Sequence, residues 1–409
     1  MNNWRETTLG EVCLVIGGGT PSKKNKAFYG GGIPWATVRD MNCEVISTTD
    51  HTITKKAIAS SSTNIIPAGN VVIATRVGLG KVCLLQQDTA INQDLRGIVP
   101  KDSENITPRF LFYWYKVTAS RVIDAGTGAT VQGVKVEFIK SLRLLLPPLG
   151  EQKRIVAILD EAFAAIDAAT ANAEKNLANA REVFESYINA VFERKGAGWR
   201  ELPLISLCDL FVDSAHRTPK YQDEGIPALR PRDVVNGVLS LSSARRVSND
   251  EYKIQSKRHK PCPEDIVYSR ELSYGWAAIL PDSPRVCLSQ GMCLFRPSDE
   301  IEPELLLYIL NGPIGREQAA IAAVGTAHPH INLGDIKAYR IPVPPHDRQS
   351  ALIEQLDHIA TKTQQLASLY TRKLALLAEL KQSILQKAFS GELTAGDDES
   401  ATRLEEASV

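Results

Sequence analysis

One sentence of this chain is written twice. "LLLPPLGEQKRIVAILD" occupies residues 144–160, and "IPVPPHDRQSALIEQLD" occupies residues 341–357, an offset of 197. Each runs from an apolar triplet through Pro-Pro and a Gln to an apolar helix start that reaches Leu-Asp. The repeat extends through the rest of the chain. "WRETTLGEVC" (4–13) answers "WRELPLISLC" (199–208), and "GIPWATVRD" (32–40) answers "GIPALRPRD" (225–233). "PAGNVVIATR" (67–76) answers "PCPEDIVYSR" (261–270), "INQDLRGIVP" (91–100) answers "LSQGMCLFRP" (288–297), and "TPRFLFYWY" (107–115) answers "EPELLLYIL" (302–310). A unit of about 197 residues used twice is a duplicated domain assembly, far beyond the period of a solenoid repeat.

Each unit divides into two parts. The first, of about 145 residues, holds short apolar runs such as "NVVIAT" and "DIVYS", broken by Gly, Pro and Asn. These predict strands and turns, with short helices over 108–118 and 303–311. The second part contains no Pro or Gly from Glu151 to Phe192, and its apolar or small residues recur in steps of three and four. That is helical periodicity, and a helix of this length spans roughly 60 Å at about 1.5 Å per residue. The second copy repeats the pattern, with Thr363 and Lys381 interrupting the stripe. Pro-Pro imposes extended backbone just upstream of each helix, and Gly150 and Asp347 are the expected N-caps.

A lone helix with one apolar stripe must bury it, and the other long helix is the obvious partner. The expected core of that pair is Ile155, Leu159, Ile166, Leu177 and Ile188 on the first helix. On the second it is Leu352, Leu356, Ile359, Leu374, Leu377 and Leu385. The fold class is therefore α+β: two mixed α/β domains joined by two long helices in an antiparallel coiled coil, with pseudo-twofold internal symmetry. The expected boundaries are a first domain over 1–146, a first helix over 147–197, a second domain over 198–346, a second helix over 347–393 and an acidic, disordered tail over 394–409.

Composition narrows the function classes. The formal net charge is zero, although the first 146 residues carry a net charge of +6, so a case for nucleic acid rests on local clusters. No apolar run reaches membrane-spanning length, and the N-terminus lacks a secretory signal. The seven cysteines are odd in number and without a CxxC pair, as for reduced thiols in a cytoplasm.

This layout resembles the specificity subunit of type I restriction–modification enzymes. The resemblance rests on the duplicated order, on "PPLGEQKRI" (147–155) and on "KAFSGEL" (387–393), and it covers essentially the whole chain. The second joint departs from the pattern, with "PPHDRQ" in place of "PPLGEQ". The resemblance implies a non-catalytic protein whose two target-recognition domains each read one half of a bipartite double-stranded DNA site. The helices would set the spacing and dock two modification subunits, which bring S-adenosylmethionine and methylate adenine. Restriction subunits using ATP and Mg would join that core. No cofactor is expected on this chain. A self-contained DNA methyltransferase or endonuclease and a scaffold with two peptide- or glycan-binding domains are the alternatives.

Catalytic motifs are absent or defective. An adenine methyltransferase of that kind carries an Asn/Asp-Pro-Pro-aromatic loop, and "LPPL" and "VPPH" lack its flanks. "VGLGKV" (77–82) has neither the spacing nor the hydroxyl of a phosphate loop. "GTGAT" (126–130) offers at most backbone amides to a phosphate. Asp233 with "EYK" (251–253) imitates a nuclease, but the first unit places Ala57 and Ala59 there, as for a solvated charged face. His328 and His330 lack a third metal ligand nearby. The aromatic run "FLFYWY" (110–115) has an aliphatic counterpart, which points to core.

The candidate DNA contacts are basic and local. In the first domain they are Lys23, Lys24 and Lys26 in "PSKKNKAFYGG", then Arg39, Arg76 and Lys81. In the second they are Arg230, Arg232, Arg270, Tyr274 and His328, with Lys257 and Arg258 in "SKRHK" beside Arg245 and Arg246. Arg39 and Arg232 hold matching places, as do Arg76 and Arg270. Such an Arg can fork onto guanine or clamp a phosphate. Internal Arg39–Asp40 and Arg232–Asp233 pairs remain the competing reading.

Overall fold

The computed structural model describes residues 3–128, 132–215 and 217–394. The chain forms two compact units: residues 1–172 with 373–409, and residues 173–372. The two long helices, Leu149–Glu193 and His346–Ser390, are each divided between them.

In the first unit, a five-stranded sheet runs in the order Cys13–Gly17, Leu95–Pro100, Val71–Ala74, Val82–Leu85, Val45–Ile46. All its pairs are antiparallel except the last. A second sheet of four strands is built around Tyr29–Ala36, which pairs with Thr89–Ile91 in parallel. In the second unit, one four-stranded sheet has the order Cys208–Asp213, Met292–Pro297, Ile266–Ser269, Trp276–Ile279. The other is built around Ile226–Leu229, which pairs with Cys287–Leu288 in parallel. The helices expected over 108–118 and 303–311 are Pro108–Asp124 and Pro303–Asn311. The first fills its unit's core with Phe110, Phe112, Tyr113, Trp114 and Tyr115, all buried, so "FLFYWY" is core.

The repeated sentence is a joint with defined parts. Its apolar triplet is a short strand that zips onto the opening strand of the same unit: Arg143–Leu146 on Arg5–Thr8, and Arg340–Val343 on Arg200–Pro203, both antiparallel. The Pro-Pro pair follows, and the helices start at once, at Leu149 and His346. Gly150 and Asp347 therefore lie inside the first turn and are not the caps. The Pro148 carbonyl accepts from Gln152 N at 3.0 Å and the Pro345 carbonyl from Arg348 N at 2.9 Å. A proline fits before a helix because its own missing N–H has no bond to make there.

The glutamine of the sentence is a buried clamp. Gln152 is fully buried; its Nε2 donates to the Asn105 carbonyl (2.7 Å) and the Pro147 carbonyl (3.0 Å), and its Oε1 accepts from Thr107 N (3.0 Å). Gln349 repeats this with the Glu300 carbonyl (2.9 Å), the Pro344 carbonyl (3.2 Å) and Glu302 N (2.8 Å). Each clamp ties the first turn of a long helix to the entry of the domain's own helix. The closing Leu-Asp completes the joint. Leu159 and Leu356 are fully buried, Asp160 accepts from the Tyr113 hydroxyl at 2.5 Å, and Asp357 accepts from the Tyr308 hydroxyl at 2.5 Å. Arg109 adds two bonds to Asp160, at 3.0 and 2.6 Å.

The long helices pack together antiparallel within each unit. In the first, Leu385 and Ala388 near the end of the second helix share a core with Ile155, Leu159, Phe163 and Ile166 near the start of the first. Phe389 meets Phe110 at 5.1 Å between ring centres, and Lys381 Nζ reaches Asp167 at 2.8 Å. In the second, Ile188 and Phe192 share a core with Leu356, and Leu352 packs against it. Leu377 packs against the first unit's core, while Leu177, Ile359 and Leu374 are only half-buried. Ile155 and Leu159 thus face the domain core as well as the other helix. Apart from Thr394, the acidic tail lies outside the described residues. No described helix is long and apolar enough to cross a membrane.

Candidate nucleic-acid interface

Each unit carries an open cleft beside its second sheet, lined by both polar and apolar side chains. The first cleft has a volume of about 520 Å³ and includes Lys23, Tyr29, Trp35, Arg39, His51, Gln93 and Asp94 in its walls. The second, of about 590 Å³, includes Tyr221, Arg230, Arg232, Arg245, Glu271, Leu272, Ser289 and Gln290. Arg39 and Arg232 line them at matching places, and so do Gln93 and Gln290. The local cause is the same in both. A strand (Tyr29–Ala36 or Ile226–Leu229) ends in a short 3-10 turn whose third residue, Asp40 or Asp233, folds back on the residue before the turn.

That fold-back decides the Arg–Asp question. Asp40 accepts from Thr37 N (2.7 Å), Thr37 Oγ1 (2.9 Å) and Asp50 N (2.8 Å), leaving Arg39 exposed. Asp233, fully buried, accepts from Arg230 Nε and Nη2, both at 2.9 Å, leaving Arg232 exposed. The hydrogen bond to Asp233 raises the pKa of the Arg230 guanidinium above its ordinary value. So the Arg39–Asp40 and Arg232–Asp233 pairs of the competing reading do not form; Asp233 pairs with Arg230 instead. Arg245 stacks over Tyr221, 4.8 Å from the ring centre, in the same cleft.

The other candidates separate. Lys23, Lys24 and Lys26 are exposed, and Lys23 reaches the cleft. Phe28 of that loop is buried, and Tyr29 donates to the Pro21 carbonyl at 2.7 Å. Arg76 is half-exposed, 3.4 Å from Asp94. Lys81 donates to Asn42 Oδ1 at 3.1 Å. Arg270, the counterpart of Arg76, is only 11% exposed; it faces Asp213 at 3.4 Å and donates to the Ile331 carbonyl at 3.3 Å. Tyr274 is partly buried against the core, and its carbonyl accepts from Arg316 at 2.7 Å. Arg258 donates to the Ser214 carbonyl at 3.0 Å, on a site apart from Arg232, with Lys257 exposed beside it. His328 is exposed, outside the residues that form the cleft wall.

The imitations of chemistry dissolve. Asp233 is held by Arg230, Glu251 meets Arg217 (3.1 Å) and Gln255 (2.8 Å), and Lys253 meets Asp250 (3.1 Å), so no nuclease-like cluster assembles. Thr127 bridges backbone to backbone with Gly133, while Ala129 and Thr130 lie outside the described residues. His330 Nδ1 lies 3.4 Å from the His328 carbonyl. The structure also groups His259, Cys262 and Asp265, whose ligand atoms lie within 4.8 Å of one another. Arg296 takes both Asp265 oxygens, at 2.8 and 3.2 Å, which makes the group an ion-paired brace. Sequence reasoning missed Gln93, Gln290, Tyr221 and His51. The first two stood at matching positions in "INQDLRGIVP" and "LSQGMCLFRP" and were legible there.

The sequence matches the family described as type I restriction modification DNA specificity domain twice, over residues 1–177 and 198–370. The chain therefore belongs to that family. It is 25% identical over 420 residues to the type I restriction enzyme MjaIX specificity subunit of Methanocaldococcus jannaschii, covering 96% of this chain and 94% of that one. It is 31% identical over 192 residues to the EcoR124I/EcoR124II specificity subunit of Escherichia coli, covering 45% and 47%. Its fold is shared by the HsdS subunit of Thermoanaerobacter tengcongensis, with a TM-score of 0.62, 22% identity and 95% and 97% coverage. A chain from a study of complex assembly and conformational transition in the type I R-M system gives a TM-score of 0.77, 22% identity and 95% and 98% coverage.

Proposed function

We propose that this chain is the DNA-reading, non-catalytic subunit of a type I restriction–modification enzyme, with each cleft reading one half of a bipartite sequence. The observation that carries this is the duplicated cleft, with an exposed arginine at the same place in both. An arginine so placed suits guanine O6/N7 or a phosphate. The clefts differ in ways that would separate two half-sites. The second presents Arg230, Arg232 and Arg245 with Glu271, and the first presents Lys23, Arg39 and His51 with Asp94.

The long helices would fix the spacing between half-sites and dock two modification subunits, which carry S-adenosylmethionine and methylate adenine. Restriction subunits, using ATP and Mg, would complete the enzyme in the cytoplasm. Two readers in one chain make the second contact effectively intramolecular, so a split site is bound more tightly than either half.

The test is co-expression with a modification subunit and methylation-aware sequencing of host DNA. A new methylated adenine in a split sequence is expected. Arg39→Ala should weaken or relax one half, and Arg232→Ala the other. Absence of new methylation beside an active partner would sink the proposal. So would a purified chain that methylates or cleaves DNA alone, or an assembled complex whose DNA binding ignores salt.

A further inference from the structure

The hairpin turns at the clefts each carry an exposed apolar side chain in a wall that also holds an exposed arginine. In the second unit this is Leu272, 57% exposed and part of the cleft wall beside Arg232. In the first it is Val77, 53% exposed and part of the wall beside Arg39. Both follow the matching arginines, Arg270 and Arg76, in the turn that leaves the central strand. The two turns solve the same backbone problem differently. Gly78 takes φ +79° in the first, and its counterpart Leu272 takes φ +58° in the second. Glycine is the ordinary choice there, and a γ-branched side chain is disfavoured. The turn is nevertheless pinned: Leu272 N donates to the Pro329 carbonyl and Ile331 N to the Arg270 carbonyl, at 2.9 and 2.8 Å. In the first unit a Cβ at position 78 would lie 2.8 Å from Val38 Cγ1 and force a shift, and the apolar residue stands one place earlier.

Resting on the reading that the clefts bind DNA, we infer that Leu272 and Val77 each contact the 5-methyl group of a thymine in the major groove, and so set an A·T pair within each half-site. The chemistry is apolar contact with the one apolar group that a base pair offers in that groove. Wedging between base pairs is the other use of such residues, but it employs longer side chains than valine. Because both turns present the group, the shared mode is the one valine can perform. Exposed lone apolar residues are common, but these two occupy matching turns at the lip of matching clefts.

The test uses the chain assembled with its modification subunits and duplexes carrying its site, with each thymine replaced in turn by uracil, which lacks only the methyl. One thymine in each half should prove sensitive, with affinity falling about fourfold, as for one buried methyl. Leu272→Ala should abolish that sensitivity in one half and Val77→Ala in the other. Leu272→Asn, a residue type that accepts positive φ, should match Leu272→Ala and guards against a collapsed turn. Uracil tolerated at every position, or sensitivity persisting in both alanine variants, overturns the inference while specific binding stands. Loss of all sequence-specific binding by the unmodified complex overturns the DNA reading itself.

Discussion

Replacing Gln152 or Gln349 with leucine removes a buried clamp while nearly keeping its volume. Three hydrogen bonds are lost at each site, to the Asn105 and Pro147 carbonyls and Thr107 N in the first unit, and to the Glu300 and Pro344 carbonyls and Glu302 N in the second. A net bond contributes about 0.5–1.5 kcal/mol, and a backbone group left dry costs about 1–3 kcal/mol. The gain of apolar burial offsets part of this, so each variant should lose about 3–5 kcal/mol. For a unit of about 200 residues that is roughly 6–20 °C in Tm. Urea titration and calorimetry of the full chain measure it. Gln152→Glu adds a sign test. Its carboxylate would face two carbonyl oxygens, so its pKa in the folded state rises above the usual value of about 4.3. Folding then binds a proton, and the variant's deficit grows as pH climbs from about 4 through the raised pKa and shrinks in acid. Leucine variants that unfold within about 1 kcal/mol of the parent would refute the clamp.

The neighbouring arginines at the second cleft should separate by role. Arg230→Ala leaves the buried Asp233 carboxylate with Arg230 N and Ser243 as its donors among the described residues and should cost about 2–4 kcal/mol by urea unfolding. Arg232→Ala should stay within about 0.5 kcal/mol, and a reversed order would contradict the pairing. Thiol labelling of the native chain near pH 8 should find two fast cysteines, Cys43 and Cys262, which are exposed. Burial pushes the thiols of Cys13, Cys83, Cys208 and Cys287 up to about 12 and raises that of Cys293 further, so these should react only on unfolding. Rapid labelling of four or more would argue against this packing.

The helices were legible because their signal is local. An uninterrupted stretch from Glu151 to Phe192 with three- and four-residue steps becomes Leu149–Glu193, and the repeat itself predicts the second copy. The zipping of residues 5–8 onto 143–146 was not, because strand pairing across such separation leaves no local pattern. The caps were misplaced for a local reason: Gly150 and Asp347 suit the role by type, but proline has no N–H to leave unsatisfied and the helices start immediately behind Pro-Pro. Equivalent letters also met different surroundings. Arg76 and Arg270 align, yet the Arg270 side chain is far less exposed. Asp213 faces it from a sheet position that Gly17 holds in the first unit: Gly17 pairs with Arg96 as Asp213 pairs with Cys293. In the cleft, the glutamines were visible in the repeat, whereas the stacking of Arg245 on Tyr221 depends on strands brought together from distant sequence.

The first unit is closed by residues at the far end of the sequence: Leu385, Ala388 and Phe389 pack on a core built before residue 173. During synthesis that core must wait for about 200 further residues, which at about 5–20 residues per second is roughly 10–40 s. In that interval the apolar face of the first long helix near Ile155, Phe163 and Ile166 lacks the segment that covers it in the finished chain. A chain that stops before residue 373 keeps the whole second unit's sequence and yet leaves the first one open. The part made first is the part finished last.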